Sequence, residues 1–118
     1  MAAWNPKEPM PKGWAAMRRH VLATEPLCRP CMMAAGRTTQ ATAVDHIRAR
    51  AFGGGHDLDN LMPVCDECHR IKSGMEAAKA QGRTYKIKMA FGEDGWPIEQ
   101  PVTDYLRRLV DTVPHRRR

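Results

Sequence analysis

Between Val44 and His69 the chain reads VDHIRARAFGGGHDLDNLMPVCDECH, which places an Asp-His pair, three consecutive glycines, an Asn and a Cys-x2-Cys-His cluster within 26 residues. Side chains that bind a divalent cation, accept a proton and fix a loop are rarely gathered this closely by packing alone. Asp45 can hold a hard cation such as Mg²⁺, and a neutral His46 beside it can take a proton from water. Phosphodiester hydrolysis needs both. A lone Asp-His is also a common solvated pair, and a lone Asn is also a turn cap, so these residues carry weight only as a set.

The cysteines form a second constellation. Cys28-x2-Cys31 and Cys65-x2-Cys68, with 33 residues between the pairs, match the paired knuckles of a tetrahedral zinc site with Zn–S bonds of roughly 2.3 Å. Two disulfides would instead require an oxidising compartment, and the N-terminal stretch MAAWNPKEPMPKGW lacks the apolar segment of a secretory leader. Four thiolates leave zinc no open position, so this metal is expected to be structural. Hydrolysis must then be located elsewhere, and His69 becomes informative because it follows the second knuckle directly, in the first turn of a helix that the zinc anchors.

The elements that must position these groups follow from the pattern around them. Residues 1–13 carry three of the nine prolines and no periodic apolar pattern, and read as an extended arm. Trp14, Met17, Val21 and Leu22 share one face of a short helix that Pro26 ends, with Arg18, Arg19 and His20 on the other side as solvated residues or phosphate contacts. A tight knuckle at 28–31 and a polar connection over 32–40 follow. The β-branched stretch ATAVDHI, residues 41–47, predicts a strand ending at Asp45-His46, and residues 61–64 the returning strand of a hairpin with a long loop. Alternation along a strand sends Asp45 and His46 to opposite faces unless the strand bends. From Cys65 the sequence is helical, with Cys68, Ile71, Met75 and Ala78 inward, Gly74 a weak point and Gly82 a stop. A strand over 85–91, a turn over 92–95 and a helix over 103–113 opened by Asp104 complete the expected order, with HRRR as a basic tail.

The order Asp-His, Asn fourteen residues later, then Cys-x2-Cys-His resembles the HNH endonuclease family. The wider run CRPCMMAAGRTTQATAVDHI, with NLMPVCDECHRIKS after it, is similar to the small phage and prophage members. The resemblance covers roughly residues 14–80. It implies an α+β fold, a ββα-metal core of hairpin and helix stapled by a four-cysteine zinc site, with flanking helices and irregular termini. It also implies a metal-dependent endodeoxyribonuclease. His46 would be the general base, Asn60 the catalytic-site residue that braces the loop and orients His46, and Asp45 and His69 the ligands of the catalytic cation. That cation would be Mg²⁺ or Mn²⁺, with Zn²⁺, Co²⁺ or Ni²⁺ also tolerated by an imidazole ligand. Cys28, Cys31, Cys65 and Cys68 would hold zinc. Because such nucleases often lie beside DNA-packaging genes, terminase or portal proteins are conceivable partners alongside double-stranded DNA. The departure from the family pattern is Arg48-Ala49-Arg50 after Asp-His-Ile, where a Pro or a further His is common.

Arg48, Arg50 and, one turn beyond His69, Lys72 are the candidates for phosphate contact. His56 reads either as an added ligand or DNA contact or as a solvated loop residue, and Trp96 as packing. A chain of 118 residues is expected to bury roughly 65% of its unfolded surface in one modest core. The expected division is an arm (1–13), a nuclease domain with zinc knuckles (14–82) and a C-terminal extension with a basic tail (83–118). Nineteen Lys and Arg against thirteen Asp and Glu give +6, which favours a polyanionic partner. No apolar run is long enough to span a bilayer, and the expected location is the cytoplasm. A zinc-stapled DNA- or protein-binding module without catalysis is the alternative function class.

Overall fold

The computed structural model describes residues 10–86 and 100–112. In chain order the elements are α1 (Trp14–Thr24), α2 (Arg29–Ala35), β1 (Ala43–His46), β2 (Leu61–Val64), α3 (Asp66–Ala80) and α4 (Gln100–Thr112), with single 3-10 turns at Arg50–Phe52 and Leu58–Asn60. The expected strand over 85–91 falls mostly outside the described residues, as do residues 1–9, the turn at 92–95, Trp96 and the basic tail.

Strands β1 and β2 pair antiparallel, with Ala43 opposite Val64, Val44 opposite Pro63, Asp45 opposite Met62 and His46 opposite Leu61. Pro63 is tolerated because a two-stranded sheet has only edge strands. Side chains alternate across this hairpin, and each face has its own cover. Val44 and Leu61 pack with Val21, Trp14, Met17 and Leu22 of α1. On the opposite face Met62 and Val64 join Ile71 and Met75 of α3, Val102, Leu106 and Val110 of α4, and the four cysteines in the main core.

Three local differences from the expected elements have physical causes. Residues 32–35 are helical, not a polar connection: Cys28 caps α2, Pro30 fits its first turn, and Gly36 ends it at φ 65°. Helix α4 begins at Gln100, three residues before the expected start, so Asp104 lies beyond the first turn and accepts a hydrogen bond from Gln100 Nε2 at 2.8 Å. Gly74, the expected weak point, sits within a continuous α3, and the Tyr85 ring lies so close against it that a Cβ there would clash with the ring. The segment after Gly82 contributes α4 to the same core, with Lys79 Nζ of α3 donating to the Val110 carbonyl at 2.7 Å.

Candidate active site

The zinc knuckles are assembled from two helix starts. Cys28 and Cys65 are the N-caps of α2 and α3, and Cys31 and Cys68 lie in the turns that follow. The Cys28 amide donates to the Thr39 carbonyl at 2.7 Å and the Arg37 amide to the Cys31 carbonyl at 3.0 Å, which folds residues 36–40 back over the first knuckle. All four cysteines are fully buried, and their sulfurs lie within 4.8 Å of one another. The Cys31–Cys68 Sγ separation is 3.7 Å, close to the edge of about 3.8 Å that follows from tetrahedral bonds of ~2.3 Å. Hydrogen bonding among the four sulfurs, first from Cys28, draws the Cys65 thiol down to about 7 and holds the Cys31 thiol well below its usual range, while the same contacts push the Cys28 and Cys68 thiols up, so the four behave as one proton-sharing cluster. The set fits a closed structural zinc.

Beside the zinc knuckle, at the same end of α3, strand alternation divides the Asp-His pair as the sequence suggested. Asp45 faces α3: its Oδ1 lies 4.0 Å from His69 Nε2 and accepts the His46 amide at 2.9 Å. Its Oδ2 is buried without a hydrogen-bond partner, although the Lys72 ammonium pairs with it electrostatically at 3.1 Å. Two ligands bound at about 2.1 Å can lie no more than about 4.2 Å apart, and the Asp45–His69 separation falls within that bound. A carboxylate and an imidazole suit Mg²⁺, Mn²⁺ or a later divalent metal.

His46 faces α1. Its ring stacks on Trp14, with centroids 5.5 Å apart and planes 8° from parallel, and its Nε2 lies 2.9 Å from His56 Nδ1. Burial, then the neighbouring His56, with smaller effects from Arg50 and Lys72, outweighs the pull of Asp45 and holds the His46 pKa below its usual value. The imidazole is therefore neutral near pH 7, the state a base requires.

Asn60 closes the loop between the strands. Its Oδ1 accepts from the Arg48 amide at 2.9 Å, and its Nδ2 donates to the carbonyls of Arg48 at 3.1 Å and Gly55 at 2.8 Å. Its own carbonyl accepts from the Ile47 amide at 2.8 Å. The loop is tight enough that a Cβ on Gly54 would stand 1.7 Å from the Arg48 carbonyl oxygen, so glycine is required there.

Two sequence expectations change. Lys72 does not reach DNA: its side chain has no exposure, and its Nζ donates to the His46 carbonyl at 2.7 Å and to Glu76 Oε2 at 2.5 Å. One helical turn beyond His69 points into the hairpin, not outward. His56 is not a solvated loop residue, because it is half-buried against His46 and Trp14. Arg48 Nε donates to the Phe52 carbonyl at 2.8 Å, within its own loop. Arg50 lines a cleft of about 380 Å³ with Asp45, His46, Phe52, His69, Ser73 and Glu76. A larger cavity of about 470 Å³ between α3 and α4 includes none of these groups. Trp14 and Glu76 escaped the sequence reading because each lies on a helical face that reads as packing or as a solvated charge.

Residues 28–74 match the family model for HNH endonucleases. Among solved structures, the HNH endonuclease of the deep-sea thermophilic bacteriophage GVE2, crystallised with manganese ion, is 30% identical over 58% of this chain and 77% of that one, with a TM-score of 0.49. No curated protein matches the chain. The matched segment opens at the first zinc cysteine and contains the Asp-His pair, the loop-closing Asn60, the second knuckle and His69; the chain belongs to the HNH endonuclease family.

Proposed function

We propose that the protein is a metal-dependent endodeoxyribonuclease in which His46 is the general base and Asp45 and His69 hold the catalytic cation. The observation that carries this reading is the arrangement at one cleft: a carboxylate and an imidazole 4.0 Å apart, beside a second imidazole kept neutral by burial. His46 takes a proton from water as the water oxygen attacks phosphorus, and the P–O3′ bond breaks opposite it. A divalent cation such as Mg²⁺ or Mn²⁺ supplies charge neutralisation at the phosphate and at the leaving oxygen. Asp45 orients its Oδ1 toward that position through the His46 amide, and Asn60 holds the loop that closes over the base. Double-stranded DNA suits the +6 charge, and the presence of Arg50 in the cleft lining supports a phosphate contact there. A packaging role with terminase or portal partners rests on resemblance to phage nucleases alone.

The test is a comparison of His46→Ala with His69→Ala by single-turnover cleavage and calorimetric Mn²⁺ titration. His46→Ala should keep fold and Mn²⁺ affinity while lowering the rate about 10²–10⁴-fold, the usual contribution of a general base. His69→Ala should bind Mn²⁺ more weakly, with activity partly recovered at high metal. Wild-type cleavage by His46→Ala, or unchanged Mn²⁺ binding by His69→Ala, would overturn the assignment.

A further inference from the structure

His46 offers two ring nitrogens, and only one can serve as the base. The Nε2 atom lies 2.9 Å from His56 Nδ1. At that distance the two nitrogens share one proton, so one ring donates and the other accepts. If His56 donated, the His46 Nε2 lone pair would be occupied and its Nδ1 would carry the proton, leaving no nitrogen free to accept one. If His46 donates, its Nδ1 keeps a free lone pair. Among the described residues no hydrogen bond to His46 Nδ1 is found, and the ring contributes to the wall of the cleft that also holds Asp45 and His69.

We infer that His56 is a positioning residue, whose Nδ1 accepts the His46 Nε2–H and so fixes both the tautomer and the ring orientation of the base. This rests on the reading of His46 as the base. A base oriented by a third group is a general device for activation, and here the third group is itself an imidazole. Two further contacts make the arrangement rigid. Trp14 stacks on the His46 ring and meets His56 edge-on at 6.1 Å, closing two sides of the pair from α1. Asn60 Nδ2 holds the carbonyl of Gly55, the residue just before His56. Asn60 therefore acts on the base through the backbone at 55 and the ring at 56, and His56 is the link that touches His46. Trp14 lies outside the segment that matches the family model, so part of this support is added by the N-terminal helix.

The experiment uses the full-length zinc-loaded protein with ¹⁵N-labelled histidine, without added catalytic metal, near pH 7.5. A hydrogen-bonded imidazole N–H is shielded from exchange with water, whereas a free one exchanges too fast to observe. The expected result is an observable His46 Nε2–H with Nδ1 unprotonated, lost in His56→Ala and restored in His56→Asn, whose amide oxygen can accept the same proton. In single-turnover cleavage His56→Ala should fall about 10²-fold, the usual effect of a misplaced catalytic group, and His56→Asn should recover most of it. DNA affinity and Mn²⁺ affinity should stay at the wild-type values in both. A His46 Nδ1–H tautomer in the wild type, a signal that survives His56→Ala, or His56→Asn as slow as His56→Ala would each overturn the inference. Failure of the base assignment is separable: it would appear as wild-type cleavage by His46→Ala, with the Nε2–H signal of the wild type intact.

Discussion

Replacing Lys72 with Met should destabilise the domain by about 3 kcal/mol at neutral pH, and the structure fixes where that cost arises. The ammonium is fully buried and faces three oxygens: the His46 carbonyl at 2.7 Å, Glu76 Oε2 at 2.5 Å and Asp45 Oδ2 at 3.1 Å. Methionine fills a similar volume without charge, so packing is largely kept while two carboxylates lose their counter-ion. Removing one partner of a buried pair costs about 3–5 kcal/mol. Asp45 and Glu76 retain 12% and 16% side-chain exposure, which places the cost at the lower end. At about 4 °C per kcal/mol, the thermal midpoint should fall by roughly 12 °C.

The pH dependence distinguishes charge from packing. Burial raises the Glu76 carboxyl above its ordinary value, and Lys72 opposes that rise. Without Lys72 the folded-state value climbs further, so the folded variant binds a proton at pH values where the unfolded chain is ionised. Stability then increases as pH falls from above the folded value toward the unfolded one. Urea unfolding of zinc-loaded wild type and Lys72→Met should therefore show a smaller difference at pH 5.5 than at pH 7.5, and adding Glu76→Gln should recover part of it. A variant with the wild-type midpoint, or an equal deficit at both pH values, would refute the argument.

Three other outcomes are expected. Cys65→Ser should lose about one equivalent of zinc and most of the cooperative thermal transition together, since metal binding supplies folding free energy in small zinc domains; elemental analysis with calorimetry checks both. Single-turnover cleavage should be flat from pH 7 to 8 and decline only below the ordinary histidine value of roughly 6.5, because the His46 pKa is held down by burial and by His56. That same depression means the unfolded chain binds the proton more readily, so the stability contributed at His46 is complete above the unfolded value and is lost as pH falls from there through the lower folded value. Binding of His46→Ala to duplex DNA should weaken steeply with salt and vary little with sequence; a preference for one short duplex kept at high salt would contradict a phosphate-dominated contact.

The hairpin and α3 were legible because their signals are local. Period-two alternation through residues 43–46, four apolar residues at 61–64 and inward spacing at Cys68, Ile71, Met75 and Ala78 specify the elements directly. The cysteine spacing was equally direct, since Cys-x2-Cys fits a metal edge whatever surrounds it. What stayed hidden depends on tertiary direction. Lys72 reads as a basic residue on a solvent-facing turn, yet the α3 face that carries Ile71 also turns Lys72 toward the hairpin, where Asp45, Glu76 and a strand-end carbonyl satisfy it. His56 lies in a glycine-rich loop whose composition predicts exposure; the Asn60 clamp at Gly55 folds that loop back onto His46. Trp14 has the spacing of a core residue, and nothing local shows that its neighbour on the sheet is a histidine.

Parity on β1 links these hidden contacts. Because Asp45 and His46 are adjacent on a strand, one faces α3 and the other α1, and each helix supports a different function. The α3 side carries charge, with His69, Lys72 and Glu76 around the carboxylate, and is tied to the zinc at the helix start. The α1 side is aromatic, with Trp14 stacked on His46 and His56 bonded to it. Perturbing the first should act on cation affinity and stability, whereas perturbing the second should act on the proton transfer proposed for His46 and on the packing of α1, with cation affinity unchanged. A one-residue slip of the hairpin register would exchange the two environments, which is why Asn60 and the backbone bond from Ile47 to Asn60, at the loop end of the ladder, matter to both.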